Sequence, residues 1–215
     1  MIEKILIADD HSIVRIGLSI MIKKLRPAAD IEEAESFKAV LDIIGGSTFD
    51  LIILDINMPD GNFQQTFDLI KIKQPKAKVL VFSSQDEKTY AIRYLKLGAD
   101  GFLPKKSDDA TVAKALEKMF NRGTYVSEEI QDTLVINSLN KNASVGQNPL
   151  TTLSDREMEI ADKLITGLSL KEISNDLSLH VSTASTYKTR IFKKLEVHSI
   201  PELIDIFRFY DNLIK

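Results

Sequence analysis

The stretch Leu51-Ile52-Ile53-Leu54-Asp55 places a carboxylic acid directly after four apolar residues. An earlier run, Ile5-Leu6-Ile7-Ala8, ends in the same way at Asp9 and Asp10. Short apolar runs of this kind are typical of strands buried in a parallel sheet. Because such strands end at one edge of the sheet, we expect the three acids to lie together. Three carboxylates that lie together repel one another, and burial increases this cost, which a bound divalent cation would relieve. Carboxylate oxygens beside a group that accepts a phosphoryl group are ligands that suit Mg²⁺.

The composition is that of an ordinary globular protein. The chain has 215 residues, enough for one large domain or two small ones, and a formal net charge of −3, which by itself predicts neither a nucleic-acid nor a membrane partner. It contains no cysteine, which excludes disulfides and thiolate metal sites. No apolar stretch approaches the ~18 residues of a membrane span, and no basic, apolar leader opens the chain. We therefore expect a cytoplasmic protein without membrane contact.

Residues 1–122 alternate short apolar runs with longer amphipathic ones. This alternation predicts an α/β domain whose parallel sheet is covered by helices on both faces. The expected strands are 4–8, 30–35, 50–54, 78–83 and 101–103, and the expected helices are 12–25, 36–45, 64–74, 87–97 and 107–121.

Residues 123–150 are interpreted as a linker, helical to about residue 138 after an N-cap at Ser127 and flexible beyond it. Strand signals are missing from residues 151–215, which predicts an all-α domain. Its expected helices begin at two capping boxes, Ser154-Asp155-Arg156-Glu157 and Ser169-Leu170-Lys171-Glu172, and continue at 181–195 and 199–213. One face of the last helix either packs internally or forms a dimer contact; it carries Leu203, Ile206, Phe207 and Tyr210.

The first domain offers the groups that an aspartyl-phosphate site needs. Asp55 is the candidate nucleophile, Ser83 ends the fourth strand with a hydroxyl, and Lys105 follows the fifth strand with an ammonium. Any one of these residues after an apolar run more often caps a helix or forms a turn. Their joint occurrence at the ends of several strands favours a phosphoryl site. His11 invites a metal or relay role, and a surface position at a helix start is the favoured interpretation. The candidate Mg²⁺ ligands are Asp9, Asp10, Asp55 and the backbone carbonyl of Asn57.

Four segments resemble a bacterial two-component receiver domain over residues 1–122: Ala8-Asp9-Asp10-His11, Asp55-Ile56-Asn57-Met58-Pro59, Phe82-Ser83-Ser84 and Gly98-Ala99-Asp100-Gly101-Phe102-Leu103-Pro104-Lys105. The resemblance implies a flavodoxin-like sheet of five parallel strands in the order 2-1-3-4-5. It also implies phosphoryl transfer from a sensor histidine kinase to Asp55. In the implied switch, Ser83 turns toward the phosphoryl group and Phe102 moves inward behind it.

Two positions depart from the receiver pattern. Phe63 stands where receivers of this kind usually carry glycine, with Gly61 two residues earlier, so we expect a different path for the loop after the third strand. Pro104 precedes Lys105, whereas many receivers place proline after the lysine.

The segment 181–195 predicts a helix with one apolar and one polar side. Ala184, Tyr187, Ile191 and Leu195 have the spacing of a core-facing stripe, and no acid occurs between residues 177 and 195. Two interpretations remain open, a helix in a DNA major groove and a solvated helix with a basic face.

The wider pattern of Leu153-Ser154-Asp155-Arg156-Glu157, Gly167-Leu168-Ser169, Lys171-Glu172-Ile173-Ser174 and Ile191-Phe192-Lys193-Lys194-Leu195 resembles a LuxR-type helix-turn-helix domain over residues 151–213. A receiver, a linker and this domain, in that order, are typical of NarL/FixJ response regulators. The resemblance makes 169–177 the scaffold helix and 181–195 the recognition helix. His180 replaces the usual hydroxyl cap and Ala184 the usual valine. The implied DNA contacts are Lys171, Ser182, Ser185, Thr186, Lys188, Thr189, Arg190 and Lys193.

These features predict a phosphorylation-activated regulator that binds promoter DNA as a homodimer, with RNA polymerase as a further candidate partner. It is not expected to be an enzyme beyond self-catalysed phosphoryl transfer to Asp55 and slow dephosphorylation. One alternative is an aspartyl-phosphate hydrolase, although that chemistry requires a second acid at the position that Asn57 occupies here. The other is a phosphorylation-independent DNA binder with a vestigial receiver.

Overall fold

The structure is a computed structural model that describes residues 4–139 and 149–212. It contains two compact units, residues 1–136 and 137–215. The first unit is built on a five-stranded parallel sheet in the order β2-β1-β3-β4-β5, which confirms the predicted fold. The strands are Lys4–Ala8 (β1), Asp30–Ala34 (β2), Leu51–Leu54 (β3), Lys78–Ser83 (β4) and Gly101–Pro104 (β5).

Helices connect the strands of the first unit and make up the second. In the first unit they are Ser12–Leu25 (α1), Phe37–Gly46 (α2), Phe63–Lys73 (α3), Glu87–Lys96 (α4) and Asp109–Arg122 (α5). Glu128–Leu139 (α6) begins in the first unit and extends three residues past its limit. In the second they are Asp155–Ile165 (α7), Leu170–Asp176 (α8), Val181–Leu195 (α9) and Ile200–Asn212 (α10), after a 3₁₀ turn at Pro149–Thr152. Within the described ranges no helix is long and apolar enough to cross a bilayer.

Strand register brings the acids together. Ala8 of β1 is paired with Leu54 of β3, so Asp9 and Asp55 leave the sheet side by side. The Asp55 amide donates to the Ala8 carbonyl at 2.8 Å. Beneath this edge the central strand is fully buried, since every residue of β3 is buried. Burial of this apolar surface stabilises the sheet by about 25 cal/mol for each Å² removed from water, so the edge that carries the acids rests on a stable core.

The chain after α5 returns to the edge of the sheet before α6 begins. Gly123 ends α5 in the left-handed region with φ of 70°, and Tyr125 then forms a parallel bridge to Gly101 of β5. A Cβ on Gly101 would lie 2.7 Å from the Tyr125 carbonyl oxygen, so this approach requires glycine. This pairing was not predicted, because an edge contact of one residue leaves no periodic pattern in the sequence.

Helix α6 packs against the first unit. Ile130 is fully buried, and Glu129 forms an ion pair with Lys88 of α4 at 2.7 Å. Ser127, the predicted cap, accepts from the Ile130 amide at 3.4 Å. The predicted domain limits, 1–122, 123–150 and 151–215, remain predictions, and the proposed flexible stretch falls largely on residues 140–148, outside the described residues.

The second unit is a bundle with capped helices. Both expected capping boxes are present, Ser154 with Glu157 at α7 and Ser169 with Glu172 at α8. Leu203 and Phe207 of α10 are buried, which supports internal packing of that part of the last helix.

Candidate phosphoryl-acceptor site and nucleic-acid interface

The carboxyl edge of the sheet holds two buried carboxylates around one ammonium. Asp9 is 1% and Asp55 3% exposed. Lys105 Nζ lies 2.6 Å from Asp9 Oδ2 and 2.8 Å from Asp55 Oδ2. Lys105 follows β5 directly, and its amide donates to the Ser83 carbonyl at 2.7 Å, which holds its backbone beside the end of β4. The structure therefore brings together three of the residues that the sequence analysis selected.

Burial dominates the electrostatics of this cluster. It raises the pKa of Asp55 to about 6, although the neighbouring Lys105 ammonium opposes the shift. Burial acts to lower the pKa of Lys105, but the Asp55 and Asp9 carboxylates outweigh it and the net shift is upward. One ammonium thus faces more than one carboxylate, which is the imbalance that a divalent cation corrects.

Asp10 completes an oxygen-rich group with the two buried acids. Ligand atoms from Asp9, Asp10, His11 and Asp55 lie within 4.8 Å of one another. This donor set suits a hard divalent ion such as Mg²⁺, which prefers carboxylate and carbonyl oxygens. The Asn57 backbone amide donates a hydrogen bond to the Asp55 carboxylate, and the metal role of the Asn57 carbonyl stays a prediction.

His11 lies at the N-terminal end of α1, the position that the sequence analysis favoured. Its ring is 64% exposed, and Nδ1 lies 2.7 Å from Asp10 Oδ1 and 3.2 Å from Asp9 Oδ1. The contact with both acids was not foreseen.

The predicted switch residues are both buried. Ser83 Oγ accepts from the Gln85 amide at 3.0 Å. Phe102 is 1% exposed and stacks on Tyr94 of α4, with ring centroids 6.0 Å apart. Phe102 is therefore turned inward here, and its neighbour Tyr94 was not identified from the sequence.

The departure at Phe63 has a structural explanation. Asn62 caps α3 by accepting from the Gln65 amide at 2.9 Å, so Phe63 becomes the first residue of the helix. Its ring meets the edge of Tyr94 at a centroid distance of 4.9 Å. An aromatic residue at position 63 fills the space beside Tyr94 and its stacking partner Phe102, whereas glycine would leave that space open.

In the second unit, α9 has the two-sided character that was predicted. Ala184, Ile191 and Leu195 are buried, while Tyr187 is only half-buried. The polar side is exposed at Ser182, Ser185, Thr186, Thr189, Arg190 and Lys193, and Lys171 is exposed on α8.

Side-chain contacts distinguish the cations of α9 from one another. Lys188 lies over the Phe192 ring at 5.2 Å and Arg190 over Tyr187 at 5.9 Å. Lys194 is 2.5 Å from Glu157 Oε2 on α7, so it serves the fold of the unit. Lys193 carries no such partner among the described contacts and remains the candidate for a phosphate contact.

Two hydroxyls on the outer face bond to their own helix. Thr186 Oγ1 donates to the Ser182 carbonyl at 2.9 Å and Thr189 Oγ1 to Ser185 at 3.1 Å. Both hydroxyl oxygens can still accept hydrogen bonds from base edges. As expected for a weak cap, the His180 side chain makes no cap hydrogen bond to α9.

Comparison with known proteins identifies both units. Residues 5–141 match the response regulator receiver domain, and residues 151–207 match the LuxR family of bacterial regulatory proteins. The chain is a response regulator of the NarL/FixJ family. It is thus a two-component, DNA-binding transcription regulator and not a classical enzyme. Receiver domains typically bind Mg²⁺ in an acidic pocket, and response regulators partner with histidine kinases.

Relatives of this response regulator cover almost its whole length. The Fimbriae Z protein of Escherichia coli K12 is 32% identical over 207 residues, which span 96% of this chain and 97% of that protein. The oxygen regulatory protein NreC of Staphylococcus carnosus is 30% identical and covers 94% of this chain and 95% of its own.

Solved structures of RcsB share the fold of the regulator. RcsB from Salmonella enterica serovar Typhimurium, bound to promoter rprA with the phosphomimetic BeF₃⁻, has a TM-score of 0.58 at 22% identity and covers 95% of this chain and 98% of its own. A second Salmonella typhimurium RcsB structure has a TM-score of 0.60 at 22% identity, covering 95% and 96%. At this identity the likeness shows the fold alone.

Proposed function

We propose that the regulator accepts a phosphoryl group on Asp55 from a sensor histidine kinase and then binds promoter DNA as a dimer. The observation that carries the proposal is the position of Lys105, whose ammonium lies between the buried carboxylates of Asp9 and Asp55 at 2.6 and 2.8 Å. A buried carboxylate with a fixed cation beside it suits phosphoryl transfer, because the developing negative charge meets a positive charge already in place.

The chemistry assigned to the site is a single group transfer. A carboxylate oxygen of Asp55 attacks phosphorus, the bond to the donor nitrogen breaks, and the proton needed by the leaving imidazole comes from solvent. Asp9, Asp10, Asp55 and the Asn57 carbonyl are the proposed holders of Mg²⁺, which supplies charge neutralisation when bound. Lys105 and the Ser83 hydroxyl are the proposed donors to the phosphoryl oxygens.

The proposed response begins at Ser83. If its hydroxyl turns toward the phosphoryl group, it gives up its 3.0 Å bond to the Gln85 amide. Phe102 is already packed inward against Tyr94. We therefore assign the conformational change on phosphorylation to a rearrangement of the packing among Ser83, Phe102 and Tyr94. The surface that transmits the change is then α4 and the segment at Tyr125, whose carbonyl accepts from the Phe102 amide at 3.3 Å.

In the second unit, α9 is the proposed recognition helix. Ser182, Ser185, Thr186 and Thr189 are assigned to base edges or sugars, and Lys171, Lys188, Arg190 and Lys193 to phosphates. RcsB is described in complex with promoter DNA and as two dimers on two parallel DNAs, which supports the same role here. A regulator with this role works in the compartment that holds the chromosome.

The first experiment measures phosphoryl uptake. The intact chain is incubated with Mg²⁺ and a small phosphodonor and examined by intact mass and peptide mapping. We expect one phosphoryl group on Asp55, none on Asp55→Asn, and normal uptake by Asp42→Asn, which changes an exposed acid on α2. Absence of label from the wild-type chain would refute the acceptor role.

The second experiment couples uptake to DNA binding by gel shift on fragments of the regulator's own promoter region. We expect affinity to rise in step with labelling and Asp55→Asn to stay at the unlabelled level. Equal binding by wild type and Asp55→Ala under phosphodonor would instead establish the phosphorylation-independent alternative. Sustained turnover of a small phosphate ester would be needed to support a hydrolase.

A further inference from the structure

His11 and Lys105 contact different oxygens of the buried acid Asp9. The Lys105 ammonium lies 2.6 Å from Asp9 Oδ2 and 2.8 Å from Asp55 Oδ2. The other oxygen of Asp9, Oδ1, lies 3.2 Å from Nδ1 of the His11 ring, and the same nitrogen lies 2.7 Å from Asp10 Oδ1. Among the described contacts, Lys105 reaches neither of these two oxygens, which leaves them beside the imidazole.

The fold of the unit does not account for the position of the His11 ring. The His11 backbone forms the start of α1, since its amide donates to Asp9 Oδ1 at 2.9 Å and its carbonyl accepts from the Val14 amide at 3.1 Å. The ring itself is exposed and makes no cap hydrogen bond to α1. A ring that neither fills the core nor caps the helix is available to the acidic pocket.

The four side chains around the pocket have the spacing of a metal-ligand set. Ligand atoms of Asp9, Asp10, His11 and Asp55 lie within 4.8 Å of one another. Bonds of about 2.0–2.2 Å from Zn²⁺ to nitrogen and oxygen place neighbouring ligand atoms roughly 3 Å apart. The 3.2 and 2.7 Å separations of His11 Nδ1 from the two carboxylate oxygens are close to that value. The match with the receiver family independently supports a divalent ion in this pocket.

Nitrogen and oxygen ligands favour different metals. Mg²⁺ takes oxygen ligands and usually keeps several waters. Imidazole instead suits transition ions such as Zn²⁺, Cu²⁺, Fe²⁺ and Ni²⁺. A pocket with oxygen ligands alone therefore suits Mg²⁺, whereas the addition of His11 to the ligand set raises the affinity for transition ions and leaves that for Mg²⁺ little changed.

We propose that Nδ1 of His11 is a fourth metal ligand of the acidic pocket, which makes the pocket selective for Zn²⁺ and similar transition ions over Mg²⁺. Zn²⁺ bound by His11 and the three acids has the four protein ligands of a closed site, with no position for a phosphoryl oxygen. Zn²⁺ therefore opposes the phosphoryl uptake that Mg²⁺ supports. That consequence rests on the proposed function, whereas the ligand role of His11 does not.

Nitrogen-15 NMR of the imidazole rings tests the ligand role directly, because the chain has three histidines, His11, His180 and His198. The full-length protein is labelled at histidine without an affinity tag and titrated with Zn²⁺, and each ring is assigned from its glutamine variant. We expect Zn²⁺ to shift the Nδ1 resonance of His11 and to leave the other two rings unchanged. A His11 ring that does not shift in an excess of Zn²⁺ would overturn the proposal.

Isothermal titration separates the two kinds of ligand. We expect His11→Gln to lower Zn²⁺ affinity at least about tenfold and Mg²⁺ affinity less than about twofold, because only the nitrogen ligand is lost. Asp10→Asn changes an oxygen ligand that both ions share and should lower both affinities. His180→Gln, which alters an exposed histidine of the second unit, is the matched control and should change neither. Unchanged Zn²⁺ affinity in His11→Gln, or equal losses for both ions, would contradict a selective nitrogen ligand.

Labelling of Asp55 tests the consequence separately. With Mg²⁺ and phosphodonor present, added Zn²⁺ is expected to inhibit uptake by the wild type. His11→Gln should need at least about tenfold more Zn²⁺ for the same inhibition. Equal inhibition of both proteins at one Zn²⁺ concentration would overturn the proposed selectivity. A wild type that takes up no label with Mg²⁺ alone would refute the proposed function, and NMR and titration would still decide the role of His11.

Discussion

At the scale of single residues, Lys105 and the two buried acids form the centre of the proposed phosphoryl-acceptor site. The nitrogen–oxygen distances of 2.6 and 2.8 Å place the one ammonium in ion pairs with both carboxylates. The types and order of these residues were readable from the sequence, because each follows an apolar run. The short distances to both acids were not, since they depend on strand register and on the path of the lysine side chain.

Asp55→Asn is expected to stabilise the folded chain at neutral pH. Burial raises the Asp55 pKa from 3.8 to about 6, so the ionised carboxylate destabilises the fold above pH 6, by at most about 3 kcal/mol, and not below pH 4. Thermal unfolding in Mg²⁺-free buffer should show the variant's advantage at pH 7.5 and its disappearance near pH 3.8. An advantage that persists unchanged at low pH would contradict the assigned cause.

Lys105→Met is expected to destabilise the chain by about 3 kcal/mol at pH 8, because it leaves buried carboxylates without their cation. Mg²⁺ should restore part of the loss, since it binds the same oxygens. Urea unfolding with and without Mg²⁺ measures both effects. Lys106→Met, which alters an adjacent and 72% exposed ammonium, should change stability little and show no such rescue.

At the scale of helices and strands, local signals located most elements, and contacts between elements explain what was missed. Both capping boxes and the span of α9 were predicted, because they depend on short-range hydrogen bonds and helical periodicity. The strand-like contact of Tyr125 with Gly101 and the packing of α6 were not, because they join segments that are distant in sequence. Phe63 was expected to disturb the loop after β3, and its structural role emerges only with Tyr94 in place.

His180→Asn is expected to stabilise the second unit by about 0.5–1 kcal/mol. The His180 side chain makes no cap bond to α9, and asparagine at an N-cap accepts from a backbone amide of the first helical turn. Slower hydrogen exchange in the first turn of α9 and a higher thermal midpoint would verify the gain. For comparison, Ser169→Ala removes an existing cap from α8 and should cost about 1 kcal/mol. Unchanged hydrogen exchange in His180→Asn would show that the backbone amides of the first turn of α9 already have other hydrogen-bond acceptors.

At the scale of the whole molecule, the overall charge does not reveal the proposed nucleic-acid interface on α9. The formal net charge of −3 predicted no such partner, whereas the exposed face of α9 is locally basic. Two neighbouring, exposed lysines of α9 have different surroundings, since Lys194 is paired with Glu157 and Lys193 has no ion pair among the described residues. DNA affinity should therefore depend on the placement of a few cations, and not on their number.

Lys193→Gln is expected to lower DNA affinity on every sequence and to reduce the slope of log affinity against log salt by about 1, because one phosphate contact is lost. Fluorescence anisotropy across a salt series measures the slope. Lys194→Gln is the matched control. It should leave the slope unchanged and lower the stability of the second unit by freeing buried Glu157. A reduced slope in the control alone would reverse the two assignments.

The sequence by itself determined the α/β and all-α halves, the strand ends that carry the acids, and the two-sided helix α9. These follow from periodicity and from groups near one another along the chain. Only the tertiary structure decided the pairing of Lys105 with both acids, the stacking of Phe102 on Tyr94, and the different surroundings of Lys193 and Lys194. It alone showed the contact of the His11 ring with Asp9 and Asp10. These properties depend on which distant residues become neighbours, and a sequence pattern records only the tendency of each segment to bury one side.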